Sequence, residues 1–145
     1  MAQGAGENVK GIFGSTNWHW SLQDEGSKAF VKSFGQKYGF PPSQAAHTCY
    51  CQAILYADAC QRAGTFMPSG VGKALEGFTF DGLGNGPTEY RDDHQCFKDV
   101  LVVKGKENPS SKFDLLEVVE VTPRSQVEYP ASMLGGELGP YNNGG

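Results

Sequence analysis

The chain has 145 residues, 39% of them hydrophobic, and a formal net charge of −4 at pH 7. This length and composition suit one packed domain and exclude a disordered protein. The negative charge and the lack of a basic run argue against a nucleic-acid or anionic-membrane partner. No stretch has transmembrane length, and the opening MAQGAGENVKG lacks the apolar core of a secretion signal.

The first half of the chain predicts one strand and three helices. A short apolar run in NVKGIF predicts the strand, and the Trp-His-Trp that follows a polar turn is expected to be exposed. Aromatic residues recur at helical spacing in DEGSKAFVKSFGQKYG, which predicts a helix closed by Gly39. The alanine-rich SQAAHTCYCQAILYADACQRAG predicts a second helix, with Ser43 as its N-cap and Gly64 after its end. SGVGKALEG predicts a shorter third helix.

The second half of the chain changes to a pattern of strands and turns. FTFDGLGNGPTEYR predicts a hairpin whose loop spans residues 82–87. CFKDVLVVKGK and FDLLEVVEV predict two further strands, joined by the turn-rich KENPSS. The sequence therefore predicts an α/β fold in which two long helices precede a β-rich C-terminal part.

Four cysteines allow one disulfide at most within an undistorted single chain. Cys49, Cys51 and Cys60 share the second helix, where distance and direction prevent them from bonding to one another. Cys96 remains as a partner for one of these three. Buried free thiols are the alternative interpretation.

A polar cluster, Asp92, Asp93, His94 and Cys96, comes just before the valine-rich strand. It permits three interpretations: a metal site, an acid/base pair, or polar residues of a turn. His47, Cys49 and Cys51 would add soft ligands to a metal site, but the spacing matches no zinc pattern.

Two glycine-containing stretches imitate ligand-binding loops without matching them. SGVGK ends like a phosphate-binding loop, but the first glycine that such a loop requires is replaced by Met67. DGLGNG begins like a calcium loop, but its third position is Leu83 and its twelfth is Asp92 instead of a glutamate. DGLGNG is therefore interpreted as a turn.

Trp18 and Trp20 flank a histidine after the predicted first strand. The two tryptophans recur at the period of a strand, so one face of this strand could be core while the other lines a cleft. Ligand contact and packing both remain open from the residues alone.

An ordered series of motifs gives the sequence a resemblance to a known family. An Ala-Phe helix ending in Lys-Tyr-Gly, a Pro-Ser entry, and an alanine-rich helix ending in Arg-Ala-Gly come first. Ala-Leu-Glu-Gly, a Phe-Asp-Gly turn and an Arg-x-x-Asp-His-Gln stretch follow. Together they resemble the C-terminal part of type 1 periplasmic substrate-binding proteins, the receptors of ABC importers for branched-chain amino acids, amides and urea.

This resemblance implies a partial periplasmic-binding-protein-like fold in the periplasm, with no enzymatic activity, no metal and no cofactor. It implies a non-catalytic solute-binding-type domain or fragment whose ligand is a small polar solute such as an amino acid or amide. The family's cleft lies near a strand end and a helix N-terminus, which implies ligand contact by Trp18, Trp20, His47 and Tyr50. The stretch around Asp93 is then a hydrogen-bonded turn.

The resemblance also suggests a division of the chain and a second function. Residues 1–10 are expected to be a flexible segment, residues 11–123 the substrate-binding-protein-like region, and residues 124–145 a glycine-rich tail. A complete receptor of this kind has two α/β lobes and well over twice this length. The alternative function is therefore an accessory or structural subunit that binds a larger protein complex or forms a homo-oligomer.

Overall fold

A computed structural model describes residues 2–133 of the chain, which fold into α-helices and antiparallel strands. The helices are α1 (Ala2–Ala5), α2 (Glu25–Tyr38), α3 (Gln44–Ala63), α4 (Pro68–Leu75) and α5 (Arg124–Val127). The strands are β1 (Phe13–Thr16), β2 (Thr79–Phe80), β3 (Thr88–Tyr90), β4 (Cys96–Phe97), β5 (Val100–Gly105) and β6 (Leu116–Thr122). The predicted α/β order, with two long helices before a β-rich part, is confirmed.

The ends of the two long helices follow local chemistry. The carboxylate of Asp24 caps α2 by accepting a hydrogen bond of 2.8 Å from the backbone N–H three residues later. The hydroxyl of Ser43 caps α3 in the same way at 3.2 Å. Gly39 and Gly64 end these helices with φ of 76° and 65°, a left-handed conformation that glycine adopts at little cost. The predicted boundaries of both helices are confirmed.

The strands form two three-stranded antiparallel sheets, named here sheet A (β1, β5 and β6) and sheet B (β2, β3 and β4). β5 lies in the middle of sheet A and buries Leu101 and Val103 on one face. The register between β5 and β6 shifts because Val102 pairs with Glu120 while Val103 pairs with Val118. β6 therefore carries a β-bulge, and its residue 119 has no partner on β5.

In sheet B, β2 and β3 form the predicted hairpin around the glycine-rich loop 82–87. The link from β3 to β4 is a tight turn in which the backbone N–H of Arg91 donates to the carbonyl of Gln95 at 2.9 Å. Arg91 also forms an ion pair with Asp93, and His94 has a positive φ of 62°. This confirms that the polar cluster before the valine-rich strand is a hydrogen-bonded turn.

Short helical turns lie near both ends of the described part of the chain. Residues 2–9 form α1 and a 3₁₀ turn, and the N–H of Gly11 donates to the carbonyl of Gly105 at 3.0 Å. The flexibility expected of residues 1–10 stays a prediction. α5 and a short 3₁₀ turn lie within the expected tail, and its residues 134–145 lie outside the described residues. Within residues 2–133, no helix is long and apolar enough to cross a membrane.

The first turn of α2 packs directly on the glycine-rich loop 82–87. A Cβ atom added at Gly26 would collide with the carbonyl oxygen of Gly82 and reach the backbone nitrogen of Gly84 at 2.9 Å. These are backbone atoms, so a rotamer change cannot remove the collision. Only glycine at position 26 allows this helix and the loop to approach so closely.

We therefore expect Gly26→Ala to lower the free energy of unfolding by about 2 kcal/mol, the usual cost of forced overpacking. Gly35→Ala is the matched control, because a Cβ at Gly35 in the same helix has no neighbour within 4 Å. Alanine there should raise the free energy of unfolding by up to about 1 kcal/mol. Urea denaturation measures both, and equal stability of Gly26→Ala and wild type would show that the packing is loose.

Candidate functional site

A buried pair of stacked rings lies between α2 and α3. The rings of Trp18 and His47 are parallel within 4° with centroids 4.2 Å apart, and the two residues are 1% and 2% exposed. Trp18 satisfies its ring N–H by donating to the hydroxyl of Ser27 at 2.9 Å. The expected exposure of the Trp-His-Trp stretch is wrong for Trp18 and for His19, which is 8% exposed. A nearby acceptor and a stacking partner make burial of the indole favourable.

His47 ties α3 to the glycine-rich loop 82–87. Its Nε2 lies 2.5 Å from the carbonyl oxygen of Leu83, so Nε2 carries the proton and donates it. The next residue, Gly84, has a φ of 100°, and an added Cβ would lie 3.2 Å from ring nitrogens of His47 and Trp18. The loop therefore depends on glycine both for its backbone angle and for space above the ring pair.

Asn85 holds the other side of the same loop. It is 8% exposed, has a φ of 64°, and donates through Nδ2 to the carbonyls of Asn17 and Asp99. The longer of the two hydrogen bonds measures 2.9 Å and leads to Asp99. The loop is thus joined to the segment after β1 and to the start of β5.

The buried ring pair continues toward the surface through Phe30. The ring of Phe30 meets Trp18 edge-on at 5.8 Å and stacks on the ring of Tyr50 at 4.5 Å. Phe30 is 6% exposed, whereas Tyr50 is 38% exposed. Tyr50 is therefore the solvent-facing end of a supported aromatic stack, named here the aromatic platform (Trp18, His47, Phe30 and Tyr50).

The structure brings three of the four predicted ligand-contacting residues together. Trp18, His47 and Tyr50 belong to the aromatic platform, while Trp20 lies half-buried beside His19, with ring centroids 5.5 Å apart. Of the four, Tyr50 and Trp20 reach the surface. The sequence interpretation missed Phe30 as a site residue, although its place on the apolar face of α2 was a signal that it faces α3.

A cavity of about 350 Å³ opens on the other side of α3, toward sheet B. Thr48, Gln52 and Leu55 line it from α3, roughly 160° around the helix from Tyr50. Tyr90 lines it from β3 and donates its hydroxyl to Oε1 of Gln52 at 3.2 Å. No sequence motif indicated this cavity, because its walls come from distant parts of the chain.

The four cysteines are free thiols in this structure, and the possible bridge from Cys96 to one of Cys49, Cys51 or Cys60 is not formed. The buried Cys51 and the exposed Cys96 nevertheless line the same cavity, whereas Cys49 is exposed elsewhere on α3. Burial raises the pKa of the Cys51 and Cys96 thiols, against the opposing charge of Lys98. Residues 2–133 contain no group of three or more His, Cys, Asp or Glu able to hold a metal.

Burial lowers the pKa of His47 below its ordinary value of 6.5, although the hydrogen bond to Leu83 acts in the opposite direction. Burial and the charge of Lys106 also lower the pKa of His19. Both imidazoles are therefore neutral in the folded protein near neutral pH. Between the lowered pKa and 6.5, the unfolded chain binds more protons than the folded chain.

We therefore expect the free energy of unfolding to decrease as the pH falls below about 6.5. His47→Gln, which keeps an N–H donor for Leu83, should reduce this dependence without abolishing it, because His19 contributes with the same sign. Urea denaturation between pH 8 and pH 5 measures the slope. An identical slope in wild type and His47→Gln would contradict the role given to His47.

Comparison with solved structures places the chain beside receptors of ABC importers. An amino acid ABC transporter substrate-binding protein from Pseudomonas fluorescens Pf-5 is 25% identical, with a TM-score of 0.80 over 94% of this chain and 37% of its own. A branched-chain amino acid ABC transporter periplasmic ligand-binding protein from Burkholderia xenovorans LB400 is also 25% identical, with a TM-score of 0.78, over 91% and 36%. A Rhodopseudomonas palustris solute-binding protein in complex with benzoate is 19% identical, with a TM-score of 0.68, over 84% and 33%.

The chain spans about a third of the length of these solved structures. No curated protein sequence matches it. The family model described as periplasmic binding protein matches residues 1–110, which is most of the chain. The resemblance found in the sequence is confirmed, and the chain belongs to the periplasmic binding protein family.

Proposed function

We propose that this chain acts in solute capture for an ABC importer, as a non-catalytic solute-binding-type domain or fragment in the periplasm. Its family and its solved neighbours, which are substrate-binding proteins and not enzymes, support this function. The solute class we propose is small amino acids, amides or aromatic acids. Neighbours whose names specify amino acids or benzoate support that class.

The observation that carries this proposal is the aromatic platform. Tyr50 is held by stacking on Phe30, which rests on the buried rings of Trp18 and His47. A ring fixed in this way offers apolar area to a solute without first losing side-chain freedom. In this proposal Tyr50 and Trp20 contact the solute, while Trp18 and His47 position the platform from below.

The chemistry of the buried groups supports a non-catalytic role. His47 uses its Nε2 proton on the backbone carbonyl of Leu83. The neighbouring Cys51 thiol, 3.5 Å from that nitrogen, has a raised pKa and is therefore protonated at neutral pH. A protonated thiol beside an imidazole already engaged with the backbone does not form an activated nucleophile.

We expect Tyr50→Ala to weaken solute binding about tenfold or more, since it removes the exposed ring of the platform. Tyr56→Ala is the matched control, because Tyr56 lies on the same helix and is 53% exposed but belongs to none of the platform contacts. Isothermal titration calorimetry with leucine and phenylalanine measures the affinities. If Tyr50→Ala and Tyr56→Ala bind equally well, the platform is not the contact surface.

A second candidate function is binding to a larger protein partner or to a second copy of the chain. The observation that favours it is the exposed apolar surface of α3, where Ile54 and Tyr56 are 38% and 53% exposed. Phe66 and Met67, just after α3, are 80% and 57% exposed. Large apolar side chains exposed on and just after one helix are available to a protein partner.

If a second copy covers this surface, the chain should sediment as a dimer at micromolar concentration, and Ile54→Lys should convert it to a monomer. A charge at the centre of an apolar interface is strongly unfavourable when buried. Sedimentation velocity decides the matter, with Lys32→Glu on α2 as the charge-change control. A monomeric wild type without a co-purifying protein would contradict the second function.

A further inference from the structure

The cavity between α3 and sheet B has the construction of a small-molecule site. Its volume of about 350 Å³ lies within the range that ligand pockets occupy, about 300–1,000 Å³. Leu55, Phe80, Phe97 and Val127 give it apolar walls. Such walls suit a hydrocarbon or aromatic body and leave orientation to a small number of polar groups.

One positively charged side chain lines this cavity. Lys98 is the single formally charged side chain among the lining residues, and its ammonium lies 5.7 Å from the centroid of the Phe80 ring. Within residues 2–133 it forms no ion pair or hydrogen bond with a protein group. Its positive charge lowers the pKa of both cavity thiols, Cys51 and Cys96. It therefore acts against burial, which raises the pKa of both. The ammonium is therefore directed toward the cavity with no carboxylate to neutralise it.

A second polar group lines the same cavity. The hydroxyl of Tyr90 donates to Oε1 of Gln52, and no group within residues 2–133 accepts a hydrogen bond from the Nε2 of Gln52. An ammonium and an amide N–H beside apolar walls together match an anion attached to an apolar body. A carboxylate accepts hydrogen bonds from both kinds of donor.

We propose that this cavity binds a small monocarboxylate with an apolar or aromatic body, its carboxylate held by Lys98 and Gln52. The site lies roughly 160° around α3 from Tyr50, so it is separate from the exposed end of the aromatic platform, and it meets the buried end where Cys51 lies 3.5 Å from His47. It also does not depend on the solute-capture function proposed above. A ligand here joins α3 to sheet B and stabilises their contact by mass action.

The test uses benzoate and its neutral counterpart benzamide, titrated calorimetrically into the full chain. We expect benzoate to bind at least tenfold more tightly than benzamide. Lys98→Gln should weaken benzoate binding about tenfold and remove the preference over benzamide, because a charged hydrogen bond is lost. Val127→Phe should weaken both ligands by filling the cavity.

Two controls separate this site from others. Lys112→Gln should leave the affinities unchanged, because Lys112 also faces a ring, that of Phe113 at 5.0 Å, but lies away from the cavity. Both Cys96 and Cys49 are exposed, but only Cys96 lines the cavity, so benzoate should slow alkylation of Cys96 and leave Cys49 unaffected.

Three results would overturn the proposal: no benzoate binding at millimolar concentration, equal binding of benzoate and benzamide, or unchanged affinity in Lys98→Gln. Loss of binding in Tyr50→Ala together with full binding in Lys98→Gln would place the solute at the aromatic platform instead. That outcome would support the proposed function while removing the cavity site. Because Lys98 is only partly buried, its substitution tests binding without endangering the fold.

Discussion

The hydrogen bond from His47 to the carbonyl of Leu83 fixes the position of α3 relative to the glycine-rich loop 82–87. It joins the first turns of α3 to the loop of sheet B, and the stacked ring of Trp18 covers it. The bond contributes about 1 kcal/mol, the usual net value for a hydrogen bond within a protein. The position of Tyr50 on one side of α3 and the cavity on the other both follow from this anchor.

Signals within short segments were sufficient to predict most of the fold. Asp24 and Ser43 act as N-caps, Gly39 and Gly64 end their helices, and each does so through contacts within a few residues. The glycine-rich hairpin was also predictable, because its turn chemistry is contained in consecutive residues. The order of these local signals carried the family resemblance as well.

The candidate site was less predictable because its contacts join residues far apart in the chain. Nothing next to Trp18 in the sequence shows that Ser27 accepts its N–H or that His47 stacks on it. The cavity has the same character, since Tyr90 and Gln52 meet across 38 positions. The Gly26 contact with the loop is a third example, in which a missing side chain is meaningful only once the opposing backbone is known.

The bulge in β6 affects how this chain behaves at high concentration. β6 is an edge strand of sheet A, and its Val119 and Val121 are 46% and 49% exposed. A flat strand of this kind would offer a template for cross-β stacking and fibril growth. The extra residue at position 119 interrupts the ladder, and the charges of Glu117 and Glu120 repel an identical strand. We therefore expect the bulge and these charges to disfavour amyloid-like assembly while the valines remain exposed.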